Sequence, residues 1–596
     1  MTLAADNPLI VQGDRSLVLH TVRTVLDEHG RPRRDAGGRP LTEEHPRFAA
    51  ARDALAAFAE LEKSPDYLHT YRITPVSVWN AAALGLSAGD ILARLEDFAC
   101  VPIPRNVESE IRGWIGRYGL LRIERVVDGT GPVDGTGPAR FELCSSAPGA
   151  LGEVLAHESV CSLLSVDPAG RAWLEEHARG VLKQALIKLG FPVDDRGGYL
   201  AGDPFPVVLR RRIRSGAAFA PRAYQREAAE SFYRGGSVLG GSGVVVLPCG
   251  AGKTIVGLAA MNLVGEKTLI LTTNTVAVRQ WREEILDKTE LGAHEIGEYT
   301  GEEKSVRPVT VTTYQMLTWR RSKTDAFEHF GLFSRQNWGL VIYDEVHLLP
   351  APIFRVTAAL QARRRLGLTA TLVREDGKED EVFCLIGPKR YDVPWKVLED
   401  KGFIASARCV EVRVPLDAAR KPAYASASAR NKFRVASENP AKIRVVQQLI
   451  GRHRDGRVLV IGQYIDQLEE LARHVVAPLI TGKTPTAERQ RLYERFRRGE
   501  ERILVVSKVG NFAIDLPDAN VAIQISGTFG SRQEEAQRLG RILRPKSDGS
   551  AASFYAVVTL GSRDQEFAQK RQLFLTEQGY SYEIIEAAQL EASLGA

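Results

Sequence analysis

The sequence predicts an α/β protein: two parallel-sheet lobes preceded by an α+β region. Three observations carry this. From about residue 216, short β-branched runs alternate with helical stretches, which is the pattern of parallel strands covered on both faces. The runs form two successive series, one for each lobe. Before residue 216 that rhythm is missing, and Pro/Gly/Arg-rich loops at 31–40 (RPRRDAGGRP) and 128–138 (DGTGPVDGTGP) interrupt helical patterns.

In the N-terminal region, residues 58–73 read as helical and broken by Pro65. Residues 77–98 read as a helical stretch with Asp90 as N-cap. Residues 181–210 read as a helix followed by short strands and turns. No chemistry is visible in these segments. The first series of strands comprises GVVVL (243–247), TLILTT (268–273), VTVTTY (309–314), LVIYD (340–344) and RLGLTA (365–370). The second comprises RVLVIG (457–462), APLITG (477–482), RILVVS (502–507), VAIQIS (521–526) and SFYAVVTL (553–560).

Composition bounds the function. The chain has 596 residues, 44% hydrophobic and 26% charged, which suits globular domains with real cores and excludes wholesale disorder. The net charge of +6 permits a polyanionic partner without demanding one. The six cysteines show no CxxC spacing, so neither a structural metal nor a disulfide framework is expected. The start lacks a basic-then-apolar leader and no run approaches a membrane span, so a cytoplasmic protein is expected.

Residues 248–254, PCGAGKT, follow strand GVVVL and precede the helical stretch TIVGLAAMNLV. That order is what a phosphate loop needs. Gly250, Ala251 and Gly252 let backbone N–H groups close on phosphate oxygens, at the positive end of the helix. Lys253 reaches the β- and γ-phosphates, and Thr254 can ligate Mg²⁺. The longer form of the motif has glycine where this chain has Leu247.

LVIYDEVH (340–347) supplies acids at the end of a strand. Asp344 would hold the Mg²⁺ shell, Glu345 would polarise the attacking water, and His347 would sense the γ-phosphate. An acidic pair after a strand is by itself only a solvated turn or a helix cap. Its place downstream of a phosphate loop, with parallel-sheet rhythm between, gives it meaning. In QRLGRILR (537–544), Arg541 and Arg544 share a helix face and could reach γ-phosphate oxygens as arginine fingers. A basic solvated face is the plain alternative. Arg222 and Gln225 in RAYQ could read adenine. Gly510 and Asp515 follow strand RILVVS, where α/β ligand sites occur.

The segments LPCGAGKT, WGLVIYDEVHLLP, LGLTATLVRED, LIGPKRYDVPW, SKVG with DLPDANVAIQIS, and SRQEEAQRLGRILR resemble, in this order, the XPB family of superfamily-2 DNA helicases. NPLIVQGDRSLVL (7–19) and residues 69–95 resemble that family's N-terminal domain, so the likeness spans nearly the whole chain. The resemblance implies two RecA-like motor lobes and an ATP- and Mg²⁺-dependent helicase moving 3′→5′ on single-stranded DNA. It implies a role in DNA repair, nucleoid association and a repair nuclease as partner. It places Gln537 in the nucleotide site and the family's RED motif on Arg374, Glu375 and Asp376, associated with unwinding, and makes Thr313, Thr369 and Thr371 candidates for DNA-backbone contact and coupling. It divides the chain into an N-terminal domain (1–150), a small damage-recognition-like module (151–215), lobe one (216–405) and lobe two (406–596), with a short, Ala-rich thumb near 416–443. Two enzyme alternatives stand beside it, an RNA helicase and a double-strand translocase that never unwinds. Outside enzymes, the alternative is a DNA-binding scaffold with a vestigial motor.

Overall fold

A computed structural model of the chain describes residues 6–592 apart from 30, 35–39, 64–67, 84, 127–139, 148, 176–177, 196–201, 237–239, 249, 322–327, 330–332, 334–335, 347–361, 363, 371–381, 383–385, 388, 394, 404–406, 508–518, 528–551, 578–579 and 581. The described chain forms two compact units, one spanning residues 1–246 and 252–392, the other residues 393–596 together with the short segment 247–251.

The first unit begins with an antiparallel four-stranded sheet, in the order Leu9–Val11, Ser16–His20, Leu68–Arg72, Glu60–Lys63. Leu17 and Leu19 alternate into a core shared with Leu92, Leu95 and Ile111 from the helices behind. Three expectations change here. Residues expected to be helical across 58–73 form the two strands Glu60–Lys63 and Leu68–Arg72, because His69 and Tyr71 bury on alternate positions, a period of two rather than 3.6. The stretch expected as one helix over 77–98 is two helices, Pro75–Ala83 and Ala88–Phe98. Its N-cap is Ser87. Asp90 is the N3 residue, and its carboxylate accepts the Ser87 N–H at 2.8 Å while Ser87 Oγ accepts the Asp90 N–H at 3.1 Å.

A second, five-stranded sheet runs in the order Val193–Asp195, Leu121–Val126, Arg140–Ser145, Ala172–Leu174, Ser165–Val166. It begins at Leu121. The boundary expected at 150 falls inside this module, since Ala150 and Val154 bury in its core beside Leu143 and Leu182. Residues 202–214, expected in the small module, lie along the first motor lobe instead. Pro204 bridges to Glu266, Leu209 bridges to Thr289, and Asp203 pairs with Lys267 at 2.5 Å.

The first motor lobe is a seven-stranded parallel sheet, in the order Ile296–Tyr299, Val309–Thr313, Thr268–Thr272, Leu340–Asp344, Arg364–Thr369, Ser242–Val246, Lys389–Asp392. The inner strands are buried almost throughout and packed under helices. Register pairs Thr272 with Thr313 and Asp344 with Leu368, so the strands end together at one edge.

The second unit repeats the plan with a seven-stranded parallel sheet: Leu479–Ile480, Ile503–Ser507, Val458–Gly462, Val521–Gln524, Ala552–Thr559, Ala407–Val414, Tyr582–Glu586. The segment expected as a thumb is a helical insert, Ala418–Arg420, Lys421–Ser426 and Ala429–Ser437. Both lobes are RecA-like: parallel sheets flanked by helices. Among the described residues no single helix is long and apolar enough to cross a membrane.

Candidate active site

The site is built at the edge of the first motor lobe where its strands end. Strand Ser242–Val246 runs into the loop and then into helix Lys253–Val264. Gly250 (φ 82°) and Gly252 (φ 78°) both sit in the left-handed region that glycine tolerates. Gly252 has a second reason to be glycine, since a Cβ there would lie 2.6 Å from Gln225 Nε2. As N-cap it offers no side chain to the first helical turn, and a helix N-terminus of this kind suits an anion. Leu247, at the variant position of the motif, is fully buried.

Lys253 begins the helix, and its Nζ lies 3.2 Å from Glu345 Oε1. Glu345 follows strand Leu340–Asp344 with φ 51°, an uncommon conformation for a residue with a Cβ. Such strain collects at functional sites, and here it turns the carboxylate toward the lysine.

Asp344 is held from two sides. Trp281 Nε1 donates to Asp344 Oδ2 at 2.9 Å, and the Tyr314 hydroxyl donates to the Asp344 carbonyl at 2.8 Å. Burial, then the neighbouring Glu345, raise the Asp344 carboxyl to about 6, against the opposing pull of the Trp281 hydrogen bond and Lys253. Burial likewise raises the Tyr314 phenol well above its ordinary value, which keeps it a hydrogen-bond donor. The indole reaches Asp344 because residue 257 has no side chain: a Cβ on Gly257 would lie 2.5 Å from Trp281 Cη2. Trp281, Tyr314 and Gly257 escape the sequence reading. A lone glycine inside the apolar helix Lys253–Val264 was the available signal, since it marks close approach by a neighbour.

Other expected residues land differently. The Gln225 carbonyl accepts the Arg222 N–H at 2.8 Å, and its Nε2 donates to the Tyr224 hydroxyl at 3.4 Å. The amide thus caps the start of the Ala223–Tyr233 helix and lies close against Gly252. Thr313 and Thr369, expected to meet DNA, are buried. The Thr313 hydroxyl caps helix Tyr314–Leu317 by accepting the Met316 N–H at 3.4 Å, which corrects its assignment as a surface contact. His347, Thr371, Arg374, Glu375, Asp376, Gly510, Asp515, Gln537, Arg541 and Arg544 lie outside the described residues.

The chemistry of this constellation is specific. A buried carboxylate raised by burial and by a second carboxylate is a group whose charge a divalent cation would relieve. The lysine and the open helix end suit phosphate oxygens. Comparison with known proteins decides the family. The chain is 49% identical over 590 residues to the DNA 3'-5' helicase XPB of Kineococcus radiotolerans, covering 99% of this chain and 98% of that one. The chain belongs to the XPB family. The XPB of Mycobacterium tuberculosis is 48% identical over 587 residues, covering 98% and 99%. The general transcription and DNA repair factor IIH helicase/translocase subunit XPB/SSL2 of Saccharomyces cerevisiae is 31% identical, covering 90% of this chain and 69% of that one.

Three family models also match this XPB-family chain. They are the ERCC3/RAD25/XPB C-terminal helicase over 398–594, the type III restriction enzyme res subunit over 218–374, and a helicase conserved C-terminal domain over 38–167. The first two coincide with the two parallel-sheet lobes. The third falls on the N-terminal modules, where the described strands that pair with one another inside that span do so antiparallel, so its description does not correspond to a third motor lobe.

Proposed function

We infer that the chain is an ATP-dependent DNA helicase that tracks 3′→5′ along single-stranded DNA and acts in DNA repair. One observation carries the catalytic part: Lys253, Glu345 and a buried Asp344 meet at the open end of helix Lys253–Val264. Without nucleotide, the Lys253 ammonium lies on Glu345. ATP phosphates entering the helix end would draw the lysine away and leave the Glu345 carboxylate able to orient water and accept its proton. Asp344 and Thr254 are the residues that would hold a divalent cation, which supplies charge neutralisation at the β- and γ-phosphates. Trp281 and Tyr314 fix Asp344 so that no reorganisation is needed during the reaction.

Arg541 and Arg544 would complete the site from the second lobe, making hydrolysis depend on how the lobes meet. Arg374, Glu375 and Asp376 would couple hydrolysis to strand separation. Recognition would be independent of base sequence, because nothing in the chain resembles a groove-reading helix motif. A cytoplasmic, nucleoid-associated place and a repair nuclease as partner accompany this reading.

Lys253→Ala tests it. The variant should keep the wild-type fold by circular dichroism and lose DNA-stimulated ATP hydrolysis. Normal turnover would overturn the site. The yeast relative, named a helicase/translocase subunit, favours one second reading: a motor that moves on duplex DNA without opening it. Such a motor would displace a third strand from a triplex but leave a tailed duplex intact.

A further inference from the structure

A fully buried ion pair joins several segments at the strand ends of the second sheet. Lys442 Nζ, on helix Ala441–Arg452, lies 2.6 Å from Asp564 Oδ2, on helix Arg563–Glu577, with side-chain exposures of 0% and 1%. The same ammonium donates to the Ile525 carbonyl at 3.0 Å, just beyond strand Val521–Gln524. Asp564 Oδ2 also accepts the Thr559 N–H at 3.1 Å, at the end of strand Ala552–Thr559.

From Thr559 the network enters the helical insert. The Thr559 hydroxyl donates to the Ala436 carbonyl at 2.7 Å and accepts from Asn439 Nδ2 at 3.3 Å. Asn439 Nδ2 also donates to the Pro415 carbonyl at 2.8 Å, and its Oδ1 accepts the Asp417 N–H at 3.3 Å, so one amide clamps both roots of the insert. Two further contacts tie the insert to helix Arg563–Glu577. The Tyr424 hydroxyl accepts the Arg563 N–H at 3.0 Å, and the Phe433 ring meets Phe567 edge-on at 5.0 Å.

Burying two charges gains little stability over an apolar pair of the same shape, so stability is a poor reason for such a pair. Directional hydrogen bonds instead fix geometry. We propose that Lys442 and Asp564 are positioning residues that lock the helical insert 418–437 and the exit of strand Val521–Gln524 into one rigid unit. That exit leads along the sequence toward residues 531–544, which carry Arg541 and Arg544. A load on the insert is thereby passed to the ends of strands Val521–Gln524 and Ala552–Thr559 as one body. This rests on the helicase reading above.

The test is the double variant Lys442→Met with Asp564→Asn, in which asparagine keeps an acceptor for the Thr559 N–H. It is compared with Lys442→Arg and wild type in the full-length chain. Thermal melting, KM for ATP, DNA-stimulated ATPase rate and base pairs separated per ATP are measured together. The double variant should melt cooperatively and keep KM for ATP within about twofold, while separation per ATP falls about tenfold or more. Lys442→Arg, which retains the charge and the donors, should recover much of that loss. Wild-type separation per ATP in the folded double variant would overturn the proposal.

Should the double variant fail to fold, Tyr424→Phe decides. That tyrosine is only half-buried, and losing its hydroxyl should lower separation per ATP several-fold. An unchanged value there would equally overturn the proposal. A wild-type protein that hydrolyses ATP but separates no strands would instead refute the helicase reading, so the two failures are told apart.

Discussion

Asp344 shows how one residue can be poised for function at the expense of the fold. Its folded carboxyl is raised to about 6 from an ordinary 3.8, mainly by burial. Between those values the folded chain binds a proton that the unfolded chain releases, so stability falls as pH rises through that window and the loss is complete above it. Asp344→Asn should therefore raise stability at pH 7.5, in the absence of nucleotide and metal, by on the order of 1–3 kcal/mol while abolishing ATP hydrolysis. Thermal melting and ATPase assays on the same preparation check both halves. A lower melting temperature would show that the carboxylate is not the strained partner. Gly257→Ala should push Trp281 off Asp344, destabilising by about 1–3 kcal/mol as an overpacked core does and lowering the ATPase rate. Wild-type turnover in that variant would remove Trp281 from the account. The sequence shows the charged members of this site plainly, because Lys253 and the acids at 344 and 345 occupy fixed offsets from strand ends. It hides Trp281 and Tyr314, which reach Asp344 from other elements and carry no local motif.

Individual elements divide into those whose pattern is plain and those hidden by charge. The central strands of both lobes are apolar runs, and the structure finds them within a residue or two of their expected ends. The flanking strands Ile296–Tyr299, Lys389–Asp392, Ala407–Val414 and Tyr582–Glu586 are absent from the reading because charged residues break their runs. Glu411 illustrates the reason. It lies fully buried within strand Ala407–Val414, where Arg413 at 2.8 Å and the Tyr582 hydroxyl at 2.9 Å satisfy it, which no local pattern announces. In the N-terminal sheet, burial and then Arg52 push the His69 imidazole down to about 4. The folded strand therefore resists protonation that the unfolded chain accepts. Stability is full above about pH 6.5 and should be lost as pH falls toward 4, by on the order of 1–3 kcal/mol. His69→Phe should flatten that slope, with the ring still able to pack edge-on against Phe48. Melting curves across the interval decide, and an equally steep loss in the variant would place the acid sensitivity elsewhere.

At the scale of the whole molecule, two lobes of the same plan follow two small modules whose folds repeat neither each other nor the motor. The lobes are legible because parallel sheets impose a rhythm on the sequence. The modules are not, since short antiparallel strands such as Ala172–Leu174 are set by partners distant in the chain. The central claim is that one lysine–carboxylate site powers directional strand separation. It is tested most directly by strand displacement on 3′-tailed and 5′-tailed DNA duplexes, with and without ATP, using wild type and Lys253→Ala side by side. The account predicts that only wild type with ATP opens a duplex, and only the one with the 3′ tail. Opening without ATP, opening by Lys253→Ala, or a preference for the 5′ tail would contradict it.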